Sequence, residues 1–444
     1  MDLAALRPLV EAEAQALRAA GVARGDRVGW IGLNHPSMLA CLLACEAVGA
    51  ALVPLNWRLA AAELQWISED AGLRLVREGP SSGATAPRPA AIPVRSDDGT
   101  LLLAYTSGTT GNPKGAKLSA AALRANAAHA QAMFGLSPQD HVLTVLPLFH
   151  VGGLNIQTMP ALLLGARVTL HGRFDADAFL HAVERERPTL SLVVPAVMRA
   201  LVAHPRWEAA DLSSLRAVGA GSSDVPPELI AAFHRKGVPV QQVYGLTESA
   251  PIAIAQTREE ALAAPGSIGH PIGECAARIV RRDGTEPAPG EEGEIQLRGP
   301  NLFSGYWNAA TATAEAWTAD GWFRTGDLGR RDASGQFWFT DRLKHLIISG
   351  GENIAPAEVE RVLMTAPGVR ECAVVGRPDP RWGEVPVAVV VPGEGFDAEA
   401  LLRHCEGRLA RFKHPRAVVT MGTLPRTSLG KVQVAALRAL IGDA

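Results

Sequence analysis

The chain has 444 residues, 43 of them basic and 45 acidic, a formal net charge of −2 and 47% hydrophobic residues. At roughly 150 residues per domain this is a chain of two or three domains, which excludes a peptide hormone, a disordered tail and a single small fold. Its near-neutral, interspersed charge lacks the basic field that captures a polyphosphate backbone, so nucleic acid is not expected as a partner. In chain order, the first residues place Asp2, Glu11 and Glu13 among apolar positions, the pattern of an amphipathic helix and not of a secretory signal. From residue 27, short apolar runs alternate with helical patterns: RVGWIGL, a helix after Pro36, ALVPL, and a helix from about 61. Residues 77–100 are rich in Pro, Ser, Gly and Ala without periodicity and read as a surface connection.

Alternation resumes with LLLAY, a helix at about 119–134, VLTVL, a helix at about 153–164, RVTL, a helix at about 175–186 and LSLVV. A helix near 196–203, LRAVG, a helix at 226–236 and VQQVY complete the series. Strand and helix in strict turn predict parallel strands with crossover helices. After residue 265 short strands follow closely with Gly between them (ARIVRRDGT, GEIQLRG, QFWFTD), which predicts an antiparallel β subdomain. From DRLKHLIISGGEN the texture becomes a compact α+β segment of about 100 residues. The fold class expected is therefore α/β: a large N-terminal body of mostly parallel sheets flanked by helices, an antiparallel β subdomain, and a small α+β C-terminal domain.

Five cysteines, at 41, 45, 275, 372 and 405, form no C-x-x-C pair and are odd in number, as expected of a reducing, cytoplasmic setting. No apolar run reaches the ~18 residues of a membrane span. Only six of the 43 basic residues are lysine: Lys114, Lys117, Lys236, Lys344, Lys413 and Lys431. A GC-rich coding bias accounts for that scarcity but not for where the six stand.

The strongest local signal is LLLAYTSGTTGNPKG at 101–115, an apolar strand running into Thr106, Ser107, Gly108, Thr109, Thr110, Gly111 and then Lys114, with a helix pattern following. Glycines let the backbone turn tightly and expose its N–H groups, and the hydroxyls and ammonium add donors, a set suited to cradling phosphates. The Walker A spacing cannot be laid over it.

YTSGTTGNPKG resembles the signature of the adenylate-forming superfamily: acyl-CoA synthetases, aryl-CoA ligases, firefly luciferase and peptide-synthetase adenylation domains. Further pieces follow in the expected order: LPLFHVGG at 146–153, GAGSS at 219–223, YGLTE at 244–248, GEIQLRGPNLFSGYW at 293–307, GWFRTGDLG at 321–329, DRLKHLIISGGENIAPAEVE at 341–360 and PRTSLGKV at 425–432. The resemblance implies an ATP-dependent carboxylic acid:CoA ligase that uses ATP, Mg²⁺ and coenzyme A. The acid is first activated as an acyl-adenylate with release of pyrophosphate, then transferred to CoA with release of AMP. It implies an AMP-binding domain at 1–341, a hinge at 342–344 and a mobile C-terminal domain at 345–444. Two other outcomes stay open at this point: transfer to an amine or a carrier-protein thiol, and a non-catalytic nucleotide-binding protein on the same fold.

By the same resemblance Tyr244 stacks on adenine, Thr247 contacts the α-phosphate and Glu248 helps hold Mg²⁺. Gly221, Ser222 and Ser223 stand where the family shows Gly-Gly-Ala-Pro against the adenine, and the two serines depart from that pattern. Asp327, in RTGDLG, is a carboxylate of the kind that accepts two ribose hydroxyls, with Arg342 as the second ribose contact by resemblance. Lys431 supplies a flexible point charge where a carboxylate and the α-phosphate come together and charge develops. Lys344 matches the hinge, with Gly350 and Gly351 after it. Phe412, His414 and Arg416, and more weakly Trp382, match positions facing CoA. His150, with Val151, Gly245 and Ser249, is expected at the acyl pocket. Gln242 and Val243 precede Tyr244 where a malonate-specific ligase would carry an arginine, so an aryl or a medium-to-long fatty acid is the expected substrate class. The chain is shorter than its relatives at its beginning and in the 77–100 connection, and monomer and homodimer are both open.

Overall fold

The computed structural model describes residues 1–91, 96–106, 113–221, 225–349, 352–426 and 431–442. The chain divides into two compact units. One consists of Met1–Arg278, Gln296–Thr325 and Ser334–Phe337, the other of Ile279–Ile295, Gly326–Ala333 and the chain from Trp338 onward.

The first unit holds two sheets. Strands β1 (Arg27–Ile31), β2 (Ala51–Leu55), β3 (Leu75–Glu78), β4 (Thr100–Thr106) and β5 (Lys114–Ser119) form one, in the order β3-β1-β2-β4-β5. β1 and β2 are buried at every position and, apart from Arg27, carry no polar side chain, the pattern of strands covered on both faces. The helix between them, Pro36–Val48, starts with proline in its first turn and stops at Gly49, whose φ of 74° is left-handed. β1, β2, β3 and β4 pair in parallel, but β4 and β5 form an antiparallel hairpin. The sequence reading passed straight from the Gly-rich loop to a helix; the structure places β5 between them, before the helix Ala120–Phe134. It also places β3 just ahead of the 79–99 connection, where no strand was expected.

The second sheet takes β6 (His141–Thr144), β7 (Arg167–Leu170), β8 (Leu190–Val193), β9 (Ala217–Gly221), β10 (Val240–Tyr244), β11 (Ile254–Ala255) and β12 (His270–Pro271) in the order β12-β11-β10-β9-β8-β6-β7. β7, β6, β8, β9 and β10 are parallel, and β11 and β12 add antiparallel pairs at one edge. The intervening helices follow the apolar periodicity closely: Ala176–Glu186 is capped by Asp175, whose side chain accepts the Ala178 N–H, and buries Phe179, Leu180 and Val183.

Strands β13 (Ala276–Val280), β14 (Glu292–Arg298), β15 (Phe323–Arg331) and β16 (Phe337–Arg342) neighbour one another in chain order. In the second unit, β17 (Ile347–Ser349), β18 (Glu352–Ile354), β19 (Val369–Asp379), β20 (Gly383–Pro392) and β21 (Ala417–Thr420) make a sheet ordered β18-β17-β20-β19, with β21 parallel to β20. Val374, Ala388 and Val390 face the helix Pro356–Leu363 through Val359 and Leu363, while Val375, Val387 and Val389 face the helix Val434–Gly442 through Leu437 and Ile441. The alternation along β19 and β20 thus puts one helix on each face. All five cysteines are unpaired. Among the described residues no helix is long and apolar enough to cross a membrane.

Candidate active site

In the first unit the sequence-selected residues gather at ends of strands. Parallel strands of an open sheet offer their carboxyl ends as the natural place for a ligand. Gly221 closes β9 and Tyr244 closes β10, and Gly221 pairs with Val243. A Cβ on Gly221 would lie 2.4 Å from the Val243 carbonyl oxygen, so the two strands approach this closely only with glycine there. Ser222 and Ser223 lie outside the described residues.

After Tyr244 the chain makes a tight turn. A Cβ at Gly245 would fall 1.8 Å from the Pro251 carbonyl oxygen, which fixes that position as glycine. Thr247–Ser249 is a single 3-10 turn closed by Ser249, whose buried hydroxyl accepts the Leu246 N–H at 2.9 Å and donates back to the Leu246 carbonyl at 3.1 Å. Asn301 holds the turn from outside, donating its amide to the Ser249 and Ile252 carbonyls at 2.8 and 3.0 Å. Glu248 is thereby carried on a rigid turn and is only 7% exposed. The Phe303 N–H donates to its main-chain oxygen at 2.8 Å, and the Tyr306 hydroxyl donates to its Oε1 at 2.7 Å.

The hairpin β4–β5 frames the Gly-rich loop. Thr106 and Lys114 are cross-strand partners, and the Thr106 hydroxyl donates to the Lys114 carbonyl at 3.3 Å. Between them Ser107, Gly108, Thr109, Thr110 and Gly111 lie outside the described residues. The Lys114 ammonium stands 5.5 Å from the centre of the Tyr306 ring. β4 is anchored by Tyr105, whose hydroxyl donates to Asp70 at 2.5 Å; burial, reinforced by the Asp70 charge, drives the Tyr105 pKa far up, so it stays a donor. The main-chain oxygen of the same Asp70 accepts from the Trp307 indole at 2.8 Å and the Asn308 amide at 3.1 Å.

His150 stands where the chain leaves β6 and enters the short helix Val151–Gly153, its ring 5.5 Å from that of Phe149. Asn34 pins this passage, accepting the Leu148 N–H at 2.8 Å and donating to the Leu146 carbonyl at 2.9 Å. Val151 is buried behind it.

In the second unit Asp327 is buried on β15, and the Arg342 guanidinium lies 3.3 Å from its Oδ1. Next to Arg342, Asp341 accepts the N–H groups of Arg342 and Ala357 at 2.6 and 2.8 Å; burial nevertheless raises its pKa. Lys344 falls in the 3-10 turn Leu343–His345, its side chain outside the described residues, as are Gly350 and Gly351. Lys431 follows the 427–430 stretch, whose flanks are pinned by the bridge Arg426–Val432 and by Gln433, which donates to the Pro425 and Arg426 carbonyls at 2.8 and 3.0 Å. Phe412 and Trp382 are large apolar side chains left 36% and 38% exposed. His414 donates through Nε2 to the Leu409 carbonyl at 3.1 Å, and the Arg416 N–H reaches the Pro386 carbonyl at 2.8 Å. Lys413 is committed to both oxygens of Glu358 at 2.7 Å.

Hard oxygen donors on a rigid turn suit Mg²⁺, which binds through one or two carboxylates together with substrate phosphates. Among the described residues no group of three or more His, Cys, Asp or Glu lies together as a metal cage. The residue that sequence reading left without a role is Tyr306: its Gly-Tyr-Trp context was visible, but the carboxylate it meets stands 58 residues earlier.

A parallel sheet whose strand ends carry Gly221 and Tyr244, with the buried Glu248 on the turn that follows, is the kind of sheet end at which a nucleotide-dependent enzyme takes its ligand. The AMP-binding enzyme family model matches residues 4–86 and 77–307, and the AMP-binding enzyme C-terminal domain matches 358–431. The chain is 47% identical to indoleacetate–CoA ligase of Aromatoleum aromaticum, over 99% of this chain and 93% of that one. It is 43% identical to feruloyl-CoA synthase of an Amycolatopsis species, over 97% and 91%. Among solved structures, ATP-bound MatB from Rhodopseudomonas palustris superposes with a TM-score of 0.90 at 30% identity, covering 99% and 93% of the two chains. The o-succinylbenzoate CoA synthetase (MenE) of Bacillus subtilis, in complex with its acyl-adenylate intermediate, gives 0.88 at 33%, covering 99% and 92%. The chain belongs to the AMP-binding enzyme family, within the adenylate-forming superfamily. It is an AMP-forming acid:CoA ligase, working through an acyl-adenylate with ATP, Mg²⁺ and CoA.

Proposed function

We propose that the acid ligated to CoA is an aromatic monocarboxylic acid of the arylacetate or arylpropenoate type. The observation that carries the monocarboxylic part of this reading is the fate of Gln242, two residues before Tyr244. Gln242 is buried, donates its amide to the Ser267 carbonyl at 2.9 Å and receives the Gln256 side chain on its own N–H at 3.0 Å, so it offers no cation to a second carboxylate. The likeness to an indoleacetate and a feruloyl ligase points the same way, and the apolar Phe149 and Val151 beside His150 suit a ring.

The residue roles in this reading follow from chemistry and position. Thr106, the 107–111 loop and Lys114 hold the ATP phosphates, Tyr244 and Gly221 flank the base, and Asp327 with Arg342 takes the ribose hydroxyls. Thr247 donates to the α-phosphate and Glu248 supplies the carboxylate for Mg²⁺, whose contribution when bound is to neutralise phosphate charge. Lys431 relieves repulsion between the acid and the α-phosphate, a transition-state contribution. Phe412, His414, Arg416 and Trp382 serve CoA, His150, Val151 and Gly245 shape the acyl site, and Ser249 keeps the Glu248 turn closed. Residues 342–344, with Lys344, act as the hinge between 1–341 and 345–444, and the cytoplasm is the compartment that supplies ATP and CoA. The test is AMP release, with ATP, Mg²⁺ and CoA present, across indoleacetate, phenylacetate, ferulate, octanoate, palmitate and malonate. The aromatic acids are expected to give the highest kcat/KM by at least roughly tenfold, the weight of a few well-placed apolar groups. Faster turnover of octanoate, palmitate or malonate would overturn the proposal.

A further inference from the structure

The segment 303–307 carries contacts that the assigned chemistry has not absorbed. Its main chain is zipped onto β5: the Lys117 N–H donates to the Gly305 carbonyl at 3.0 Å, the Ser304 N–H to the Lys117 carbonyl at 3.0 Å, and the Trp307 N–H to the Gly115 carbonyl at 2.7 Å. Tyr306 forms a bridge with Ala116, and its N–H is taken by the Thr313 hydroxyl at 2.9 Å. Its ring packs edge-on against Phe303, 4.9 Å between centres, and Phe303 is itself wedged between Trp317 and Phe323. A side chain held at its backbone and on its ring has its hydroxyl aimed by packing, not by chance rotation.

That hydroxyl meets Glu248 Oε1 at 2.7 Å, while Phe303, three residues earlier on the same segment, holds the Glu248 main-chain oxygen. The opposite demand falls on the ring, whose centre lies 5.5 Å from the Lys114 ammonium, within the range of cation–π attraction. One residue thus touches both the carboxylate assigned to the metal and the cation assigned to the phosphates.

Resting on the role of Glu248 given above, we infer that Tyr306 is a positioning residue for adenylation: its hydroxyl orients the Glu248 carboxylate toward Mg²⁺, and its ring restrains Lys114 beside the phosphate loop. Ligating carboxylates that are themselves hydrogen-bonded lose roughly 10- to 100-fold in metal affinity when that bond is removed. Tyr306→Phe keeps the ring and its packing and deletes only the donor.

Four full-length proteins separate the outcomes: wild type, Tyr306→Phe, Glu248→Gln and the double variant. Mg²⁺ dependence is read twice, as half-saturation of ATP–pyrophosphate exchange and as calorimetric binding of Mg²⁺ to protein saturated with α,β-methylene-ATP. Tyr306→Phe is expected to raise both by roughly tenfold, with the acid KM and the thermal midpoint little changed. Added to Glu248→Gln it should shift neither further. Tyr306→Leu, which removes the ring too, is expected to weaken ATP binding in EDTA by about two- to fivefold, whereas Tyr306→Phe leaves that binding unchanged. Unaltered Mg²⁺ dependence in Tyr306→Phe, with Glu248→Gln altered, would overturn the Tyr306 inference alone. No shift in Glu248→Gln would instead overturn the metal role of Glu248 and the inference with it. Should Tyr306→Phe fail to fold, the EDTA titration of Tyr306→Leu and the additivity of Thr313→Val with Glu248→Gln decide; full additivity counts against the inference.

Discussion

Lysine is rare in this chain, and each of the two lysines without assigned chemistry has a local tie. Lys117 pairs with Asp98 at 3.0 Å, and Lys236 donates to the Glu208 carbonyl at 2.8 Å beside Trp207. Lys413, next to Phe412, is spent on Glu358. Lys431 stands next to Val432, which bridges to Arg426. A slim ammonium reaching two anions at once is worth more in the transition state than in the ground state. Lys431→Ala is therefore expected to slow adenylation by roughly two to three powers of ten, while thioester formation from supplied acyl-adenylate keeps most of its rate. Rapid-quench measurement of each half-reaction checks this, and an equal loss in both would contradict a role confined to adenylation.

At the scale of elements, the hairpin β4–β5 is the part that sequence patterning did not disclose. KGAKLS has no β-branched residue and carries two lysines, so nothing in it announces a strand; its strand character comes from pairing with LLLAYT, whose apolar run was legible. β3 was missed for a related reason, being four residues long and ending in Arg and Glu at the edge of its sheet. The long alternation from β6 to β10 was readable because most of its strands are short, largely apolar runs rich in valine and leucine, set between helical patterns. The Gly- and hydroxyl-rich stretch at 106–111 was legible as a distinct segment from its composition, but the Tyr306 contact to Glu248 was not, because such a contact is fixed by the fold and not by spacing. The hairpin's end is fastened by Lys117 and Asp98, with side chains 21% and 27% exposed. Burial raises the Asp98 pKa, but hydrogen bonds from Thr100 and Lys117 outweigh it and the net shift is downward. Lys117→Met should lower stability by about 0.5–1 kcal/mol, the upper part of the range for ion pairs near the surface, with the ATP KM unchanged; a denaturant titration beside steady-state kinetics decides it.

Across the whole molecule, acid is the expected weakness. His129, His141, His171 and His234 all have pKa values lowered from the ordinary 6.5, in each case chiefly by burial, with Arg167 adding to the effect at His141. Their unfolded forms take up protons more readily than their folded forms. Stability is therefore fully present above the unfolded value and is lost as pH falls through the depressed folded values. At His129 burial outweighs the hydrogen bond that its Nδ1 donates to the Ile252 carbonyl at 3.0 Å, which pulls the pKa the other way, and the ring lies against Gly273 so closely that a Cβ there would sit 2.4 Å from it. The thermal midpoint should be flat from about pH 8 to 7 and fall between about pH 6.5 and 5, and His129→Gln should shallow that fall. A midpoint unchanged down to about pH 5 would remove the histidines as its cause.

The Trp307 indole and the Asn308 amide close on one carbonyl oxygen, that of Asp70, across 237 and 238 residues of chain. During synthesis the first sheet can pair, and β6 to β10 can stack beside their helices, long before residue 306 leaves the ribosome. Until then Glu248 has its turn but not the hydroxyl that steadies it. A chain ending before residue 306 therefore lacks at one stroke the Tyr306 hydroxyl on Glu248 and both donors on the Asp70 carbonyl.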